Sequence, residues 1–187
     1  MLVSRCRGVV LLNAAGRFDD GSEPEAAAGE QPALPLWRAA LDGMAATLKR
    51  GVVAASFVFT KQPLRIRQVL RQVYLRQEST NIDDDLVASI AAPAQDPNAA
   101  EVFYRIITGR GEAMNRLLVR LEAARMPLLL LWGSADPWCV PARATAIQSH
   151  YPAAERVDIE SGHCPHDDTP ALTNAELLKW LGSCDWI

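Results

Sequence analysis

Five consecutive apolar residues, Leu128-Leu129-Leu130-Leu131-Trp132, stand between Pro127 and Gly133. The run is far too short to cross a bilayer. Its lack of alternation marks a strand buried on both faces, the kind found inside a parallel sheet covered by helices above and below. Gly8-Val9-Val10-Leu11-Leu12, closed by Asn13-Ala14-Ala15-Gly16, has the same character. Arg156–Glu160 makes a third, shorter strand, with Val157 and Ile159 on one face. Between the last two, a helix is expected from Pro141 to about Tyr151. The tail from Thr169 predicts another, with Pro170 at its first position and apolar Leu172, Leu177, Leu178 and Leu181. Strands alternating with helices in this way give an α/β fold with a parallel sheet of about three strands.

The middle of the chain has a different period. From Leu34 to about Leu121 the pattern is helical, clearest from Arg65 to Tyr74. There Ile66, Val69, Leu70, Val73 and Tyr74 fall on one face, and Arg65, Arg67, Gln68, Arg71 and Gln72 on the other. A further helix is expected near Asn81, where Asp83, Asp84 and Asp85 suit its positive end. Another should start at Asp96-Pro97-Asn98, with Glu101 completing an Asn-x-x-Glu cap. Asp19 to Gln31, rich in Asp, Glu, Ala, Gly and Pro, reads as a surface loop. The expected division is thus a core from 1–18 and 123–187, with 19–122 forming an acidic loop and a helical insertion.

With 187 residues, 49% apolar and 22% charged, the chain has the balance of one globular domain. A net charge of −3 gives no footing for nucleic acid. Cys6, Cys139, Cys164 and Cys184 are widely spaced and form no C-x-x-C, which fits free thiols in a reducing compartment rather than disulfides or structural zinc. Arg5 and Arg7 before an apolar run could open a signal peptide, but that run is short for one and a buried strand explains it better. A strand so close to Met1 leads to the expectation that further chain belongs upstream.

Chemistry in such sheets gathers just beyond the carboxyl ends of the strands. Two loops lie there: Gly133-Ser134-Ala135-Asp136-Pro137-Trp138 after one strand, and Ser161-Gly162-His163-Cys164-Pro165-His166-Asp167-Asp168 after the next. A carboxylate from the first loop and an imidazole from the second can meet. The carboxylate would then orient the ring and stabilise its charged form, leaving the other ring nitrogen as a general base.

Gly133-Ser134-Ala135-Asp136-Pro137 followed by Gly162-His163 resembles the acid and histidine segments of α/β-hydrolases, whose chain order is nucleophile, acid, histidine. Gly8 to Gly16, Arg65 to Tyr74, and Gly162 to Asp168 resemble more closely a plant and cyanobacterial branch that includes pheophytinase and chlorophyll dephytylase. By that resemblance Asp136 is the triad acid and His163 the triad base. Residues from about Pro32 to Glu122 would be a lid between the sixth and seventh strands, and the chain would hold the last three strands of eight. The resemblance implies a lipophilic ester substrate, such as a chlorophyll-type phytyl ester, a chloroplast location and no cofactor.

The departure is the nucleophile. None of the nine serines sits in the G-x-S-x-G elbow of the family, so the chain is expected to be an inactive part of a larger hydrolase. A non-catalytic binding protein on the same scaffold is the alternative from another class. A relative with an aspartate nucleophile, of dehalogenase or epoxide-hydrolase type, is a third. Each motif also has a plainer explanation. Asp136-Pro137 can serve as a helix cap, His163 can be structural, and His166 is a fallback base. His163, Cys164, His166, Asp167 and Asp168 suit no common metal-site spacing. Lys61, Arg65, Arg67, Arg71 and Arg76 fit the solvated face of a lid helix, or a contact with a membrane surface.

Overall fold

The computed structural model describes residues 6–19, 36–75, 82–109 and 111–183. Most of the acidic loop after Asp19, together with Arg76, Asn81 and Cys184, lies outside them. Three strands, β1 (Val9–Leu12), β2 (Leu128–Gly133) and β3 (Glu155–Ile159), form one parallel sheet in the order β1-β2-β3. The α/β expectation is met. Eight α-helices accompany the sheet among the described residues: α1 (Leu36–Thr60), α2 (Pro63–Val73), α3 (Asp84–Ala91), α4 (Ala99–Thr108), α5 (Met114–Ala123), α6 (Pro141–His150), α7 (Pro165–Asp168) and α8 (Pro170–Ser183).

The sheet places β2 in the centre, paired Val9↔Leu128 through Leu12↔Leu131 on one side and Leu129↔Glu155 through Gly133↔Ile159 on the other. Every residue of β2 is buried, and its side chains divide between two faces. Leu128, Leu130 and Trp132 pack with Leu118 of α5 and with Ala144 and Ile147 of α6. Leu129 and Leu131 pack with Ile159, Trp180 and Leu177 on the α8 side. The uninterrupted apolar run therefore has a physical cause: both faces of β2 meet helices, and each leucine removed from water contributes about 1.5–3 kcal/mol. Trp132 keeps its indole N–H satisfied by donating to the Cys139 carbonyl at 2.7 Å.

Helix α8 differs in detail from the sequence pattern. Leu172 and Leu178 point to solvent, at 55% and 68% exposure, whereas Thr173 and Trp180 are buried. Trp180 offers the largest apolar area, and its Nε1–H reaches Glu155 at 2.8 Å. Thr173 pairs its hydroxyl with the Pro165 carbonyl at 2.7 Å. Two residues with polar handles thus take the inward positions from the leucines.

The described residues fall into two compact units. One holds 6–19, 69–75, 82 and 111–183, with the sheet; the other holds 36–68 and 83–109. Residues 69–75 and 111–122, expected from the sequence to belong with the insertion, group with the sheet: α5 buries Leu118 against β2, and Val73, Tyr74 and Leu75 bond the loop after β3. In the helical unit α1 lies against α4, where Phe57 and Phe103 rings stand 5.4 Å apart and Arg50 covers the Tyr104 ring. Phe57, Ile90, Pro93, Val102, Phe103 and Ile106 line an open apolar cavity of about 410 Å³. Helix α3 is capped by Asp83, which accepts from the Leu86 N–H at 2.8 Å.

The capping pair expected at α4 does not form. Asn98 is itself in a helical conformation and makes no side-chain cap. Asp96 accepts the Asn98 N–H instead, at 2.7 Å, and Glu101 turns to Arg50 and Arg105. Among the basic residues noted on and near α2, Arg67 pairs with Asp84, and Arg65 bonds Gln68 and covers the Phe59 ring. No helix among the described residues is long and apolar enough to cross a membrane.

Candidate active site

The two loops beyond β2 and β3 are tied to each other by backbone bonds. Ser134 N–H donates to the Ile159 carbonyl at 2.8 Å and Ala135 N–H to that of Ser161 at 3.0 Å. This approach is so close that a Cβ on Gly133 would lie 1.9 Å from the Gly162 carbonyl oxygen. Gly162 is pressed in turn against the end of α2, where a Cβ would fall 1.9 Å from the Val73 carbonyl oxygen. Both positions require glycine for space. The His163 N–H then donates to that Val73 carbonyl at 2.7 Å, fixing the backbone of the histidine.

Within this frame Asp136 and His163 come together: Nδ1 of His163 is 2.8 Å from Oδ2 of Asp136. The Asp136 side chain is fully buried and that of His163 is 24% exposed. Asp136 accepts four hydrogen bonds among the described residues. Oδ1 takes the N–H groups of Trp138 and Cys139 at 2.7 and 3.0 Å, and Oδ2 takes His163 and Nδ2 of Asn13, the latter at 2.7 Å. Burial by itself would raise the Asp136 pKa. The hydrogen bonds from His163, Cys139 and Trp138 outweigh it and hold the carboxyl below its ordinary value. A carboxylate so held accepts only, so in the neutral ring the proton resides on Nδ1 and the lone pair on Nε2. Among the described residues none bonds Nε2, and the Trp138 ring flanks the imidazole with centroids 5.0 Å apart.

Asp136 caps no helix, since α6 starts at Pro141 after Val140; its Oδ1 closes a turn of its own loop and its Oδ2 meets the histidine. The other acidic residues of the second loop have separate tasks. One oxygen of Asp168 accepts from the N–H groups of Gly162 and Leu75 and from the Ser161 hydroxyl, at 2.8, 2.9 and 3.1 Å. Asp167 accepts from the Tyr74 hydroxyl, whose pKa is raised by burial and by that bond. His166 is exposed on α7. The histidine-loop donors considered as a metal set are not brought together. A different trio, Asp136, Cys139 and His163, places one ligand atom each within 4.8 Å. The four bonds already made to Asp136 fill its acceptor sites, and burial, then Asp136, pushes the Cys139 thiol up, so the trio fits no ion.

Asn13, Asp168 and Tyr74 escape sequence reasoning. Asn13 carries a signal, since asparagine directly after an apolar run tolerates the left-handed conformation it adopts here, with φ 40°. For Asp168 and Tyr74 the contacts are with segments distant in sequence, and no spacing rule announces them.

No protein-family model matches the chain. It is 31% identical over 122 residues to pheophytinase, chloroplastic, of Arabidopsis thaliana, a match spanning 64% of this chain and 25% of that protein. Among solved structures it resembles a thermophilic esterase from Thermogutta terrifontis, with TM-score 0.59 and 18% identity over 97% of this chain and 57% of the esterase. It also resembles the 2-hydroxy-6-oxo-6-phenylhexa-2,4-dienoate hydrolase of a Rhodococcus strain, with TM-score 0.61 and 16% identity over 97% of this chain and 58% of that one. The chain therefore spans about a quarter of the pheophytinase and less than two thirds of these structures. Its parallel sheet, the helices on both faces and the likeness to these structures show a partial α/β-hydrolase fold.

Proposed function

We propose that Asp136 and His163 are the acid and the base of an ester hydrolase. The observation that carries this is the 2.8 Å bond between Nδ1 and a carboxylate that is fully buried and held ionised. In such a site Nε2 takes the proton of a nucleophilic hydroxyl as it attacks the ester carbonyl. The carboxylate stabilises the imidazolium that results, and the ring returns the proton to the leaving alcohol. A water activated by the same nitrogen then releases the acid. The nucleophile is not present in elbow form in these 187 residues, so they supply the proton-transfer half of the site.

The substrate class we assign is a lipophilic ester, of chlorophyll-type phytyl kind. Its support is the likeness to pheophytinase and the apolar cavity in the helical unit, of a volume usual for small-molecule sites. On the same likeness we assign the helical unit, residues 36–68 and 83–109, to a lid that can meet a membrane surface, and the chain's location to the chloroplast. Two experiments test this. The 187-residue chain should hydrolyse an aryl ester at background rate, because nucleophile and oxyanion donors supply most of the acceleration. Turnover abolished by His163→Ala would place the nucleophile within these residues instead. Sequencing the transcript's 5′ end should reveal a G-x-S-x-G elbow encoded before Met1; an in-frame stop there, with no elbow in any upstream exon, would overturn the hydrolase proposal.

A further inference from the structure

Asn13 closes β1 in a left-handed conformation and is 4% exposed. Each hydrogen-bonding group of its amide engages a different part of the site. Oδ1 accepts from the Gly133 N–H at 2.7 Å, where the acid loop begins. Nδ2 donates to Asp136 Oδ2 at 2.7 Å and to the carbonyl of Gly162, the residue before His163, at 2.9 Å. The orientation of the amide is fixed by its partners, since a backbone N–H only donates while a carboxylate and a carbonyl only accept.

We propose that Asn13 is a positioning residue for the Asp136–His163 pair, clamping the acid loop and the histidine loop together and aiming Oδ2 at the imidazole. This rests on the hydrolase reading of the pair. The two bonds to Oδ1 come from the carboxylate's own loop, so they anchor one oxygen and leave the other to swing about it. Among the described residues Oδ2 is held by Asn13 and by the imidazole it must orient. The imidazole itself hangs from a loop and is partly exposed. Asn13 is thus the fixed point that neither loop provides, and it stands on the sheet. Asparagine suits the place chemically: it tolerates the positive φ, its side chain is short, and it supplies two donors and an acceptor. Aspartate there would set a second carboxylate against the first, and glycine would keep the backbone and lose the clamp.

The test is the ring proton on Nδ1 of His163, followed by NMR in the 187-residue chain, because it reports the pair without requiring turnover. Asp136→Asn provides the reference spectrum for a lost bond. Asn13→Gly should unfold cooperatively like the unsubstituted chain, yet exchange this proton at least about tenfold faster, the effect of one buried hydrogen bond. Asn13→Asp should lose the slow proton near neutral pH and regain it as acid protonates the introduced carboxyl, which can then donate to Oδ2. Exchange in Asn13→Gly within about twofold of the unsubstituted chain would overturn the proposal. If neither variant folds, the Nδ2 protons of Asn13 in the unsubstituted chain decide. Slow exchange, altered by Asp136→Asn, supports the clamp, and exchange as fast as in an exposed amide refutes it. A ring proton that depends on Asn13, in a longer chain whose turnover ignores Asp136, would sink the hydrolase reading and leave the clamp standing. A ring proton unaffected by Asp136→Asn would sink both.

Discussion

Asp136 has all its acceptor capacity in use, so protonating it breaks at least one of four hydrogen bonds. That has a signed consequence for stability. The folded carboxyl titrates below its unfolded value of about 3.9, so its stabilising contribution is complete at about pH 5 and above and drains away as pH falls through the folded value. Urea midpoints of the chain and of Asp136→Asn should differ at pH 7 and converge below about pH 4; a constant difference would show that the carboxylate's charge is not what is being lost. In a longer chain carrying the elbow, the same substitution should cut turnover by roughly 10⁴-fold through the wrong imidazole tautomer, with stability at pH 7 still sufficient for folding. Full activity would mean that another carboxylate orients His163. Gly162→Ala acts by space alone: its Cβ would meet the Val73 carbonyl at 1.9 Å, and the shift needed should cost about 1–3 kcal/mol, read from the same urea midpoints. The residues of the pair were legible in the sequence because each follows a recognisable strand. Asn13, at the end of a third strand, looked like a turn, since nothing local tells that its amide points into the site.

At the level of elements, β2 could be read from composition because a strand buried on both faces leaves no polar position to confuse the pattern; β1 shares its apolar character, and β3 was legible from the alternation of Val157 and Ile159 with charged neighbours. Helix α8 could not be read so simply. Its leucines outnumber the positions its buried face offers, and Trp180 wins one of them by area and by its bond to Glu155. Trp180→Ala should therefore cost about 3–5 kcal/mol, while Leu178→Ala should stay within about 0.5 kcal/mol. Equal losses in denaturant titrations would mean that Leu178 has a partner in solution. The α4 cap failed for a similar reason: Asp96 captured the N–H of Asn98, and two arginines captured Glu101, so the sequence signature was present and its atoms were already taken.

Across the whole molecule, burial is distributed unevenly. Every side chain of β2 is buried, whereas from residue 41 to 60 of α1 only Val53 is. Hydrogen exchange should follow this division, with amides of α1 exchanging at least about a hundredfold faster than those of β2. Matching protection in the two would mean that α1 is covered in solution. The sequence drew the boundary of the helical insertion by periodicity, which sees helices but not what they pack on. Residues 69–75 and helix α5 are as periodic as α1; the bonds of Val73, Tyr74 and Leu75 to the histidine loop, and the burial of Leu118 against β2, accompany their place in the sheet unit.

The clamp at Asn13 also sets an order of events in time. Its partners Gly133, Asp136 and Gly162 lie 120, 123 and 149 residues further along the chain. During synthesis at about 5–20 residues per second, β1 leaves the ribosome roughly 6–24 s before the strand it pairs with has been made. Closing a loop of that length costs roughly 4 kcal/mol of chain entropy before the first contact repays it, while β2, β3 and the acid and histidine loops are near neighbours in sequence. Of the three strands, the one made first is therefore the last to find its place, and until it docks the two loops meet without the amide that joins them.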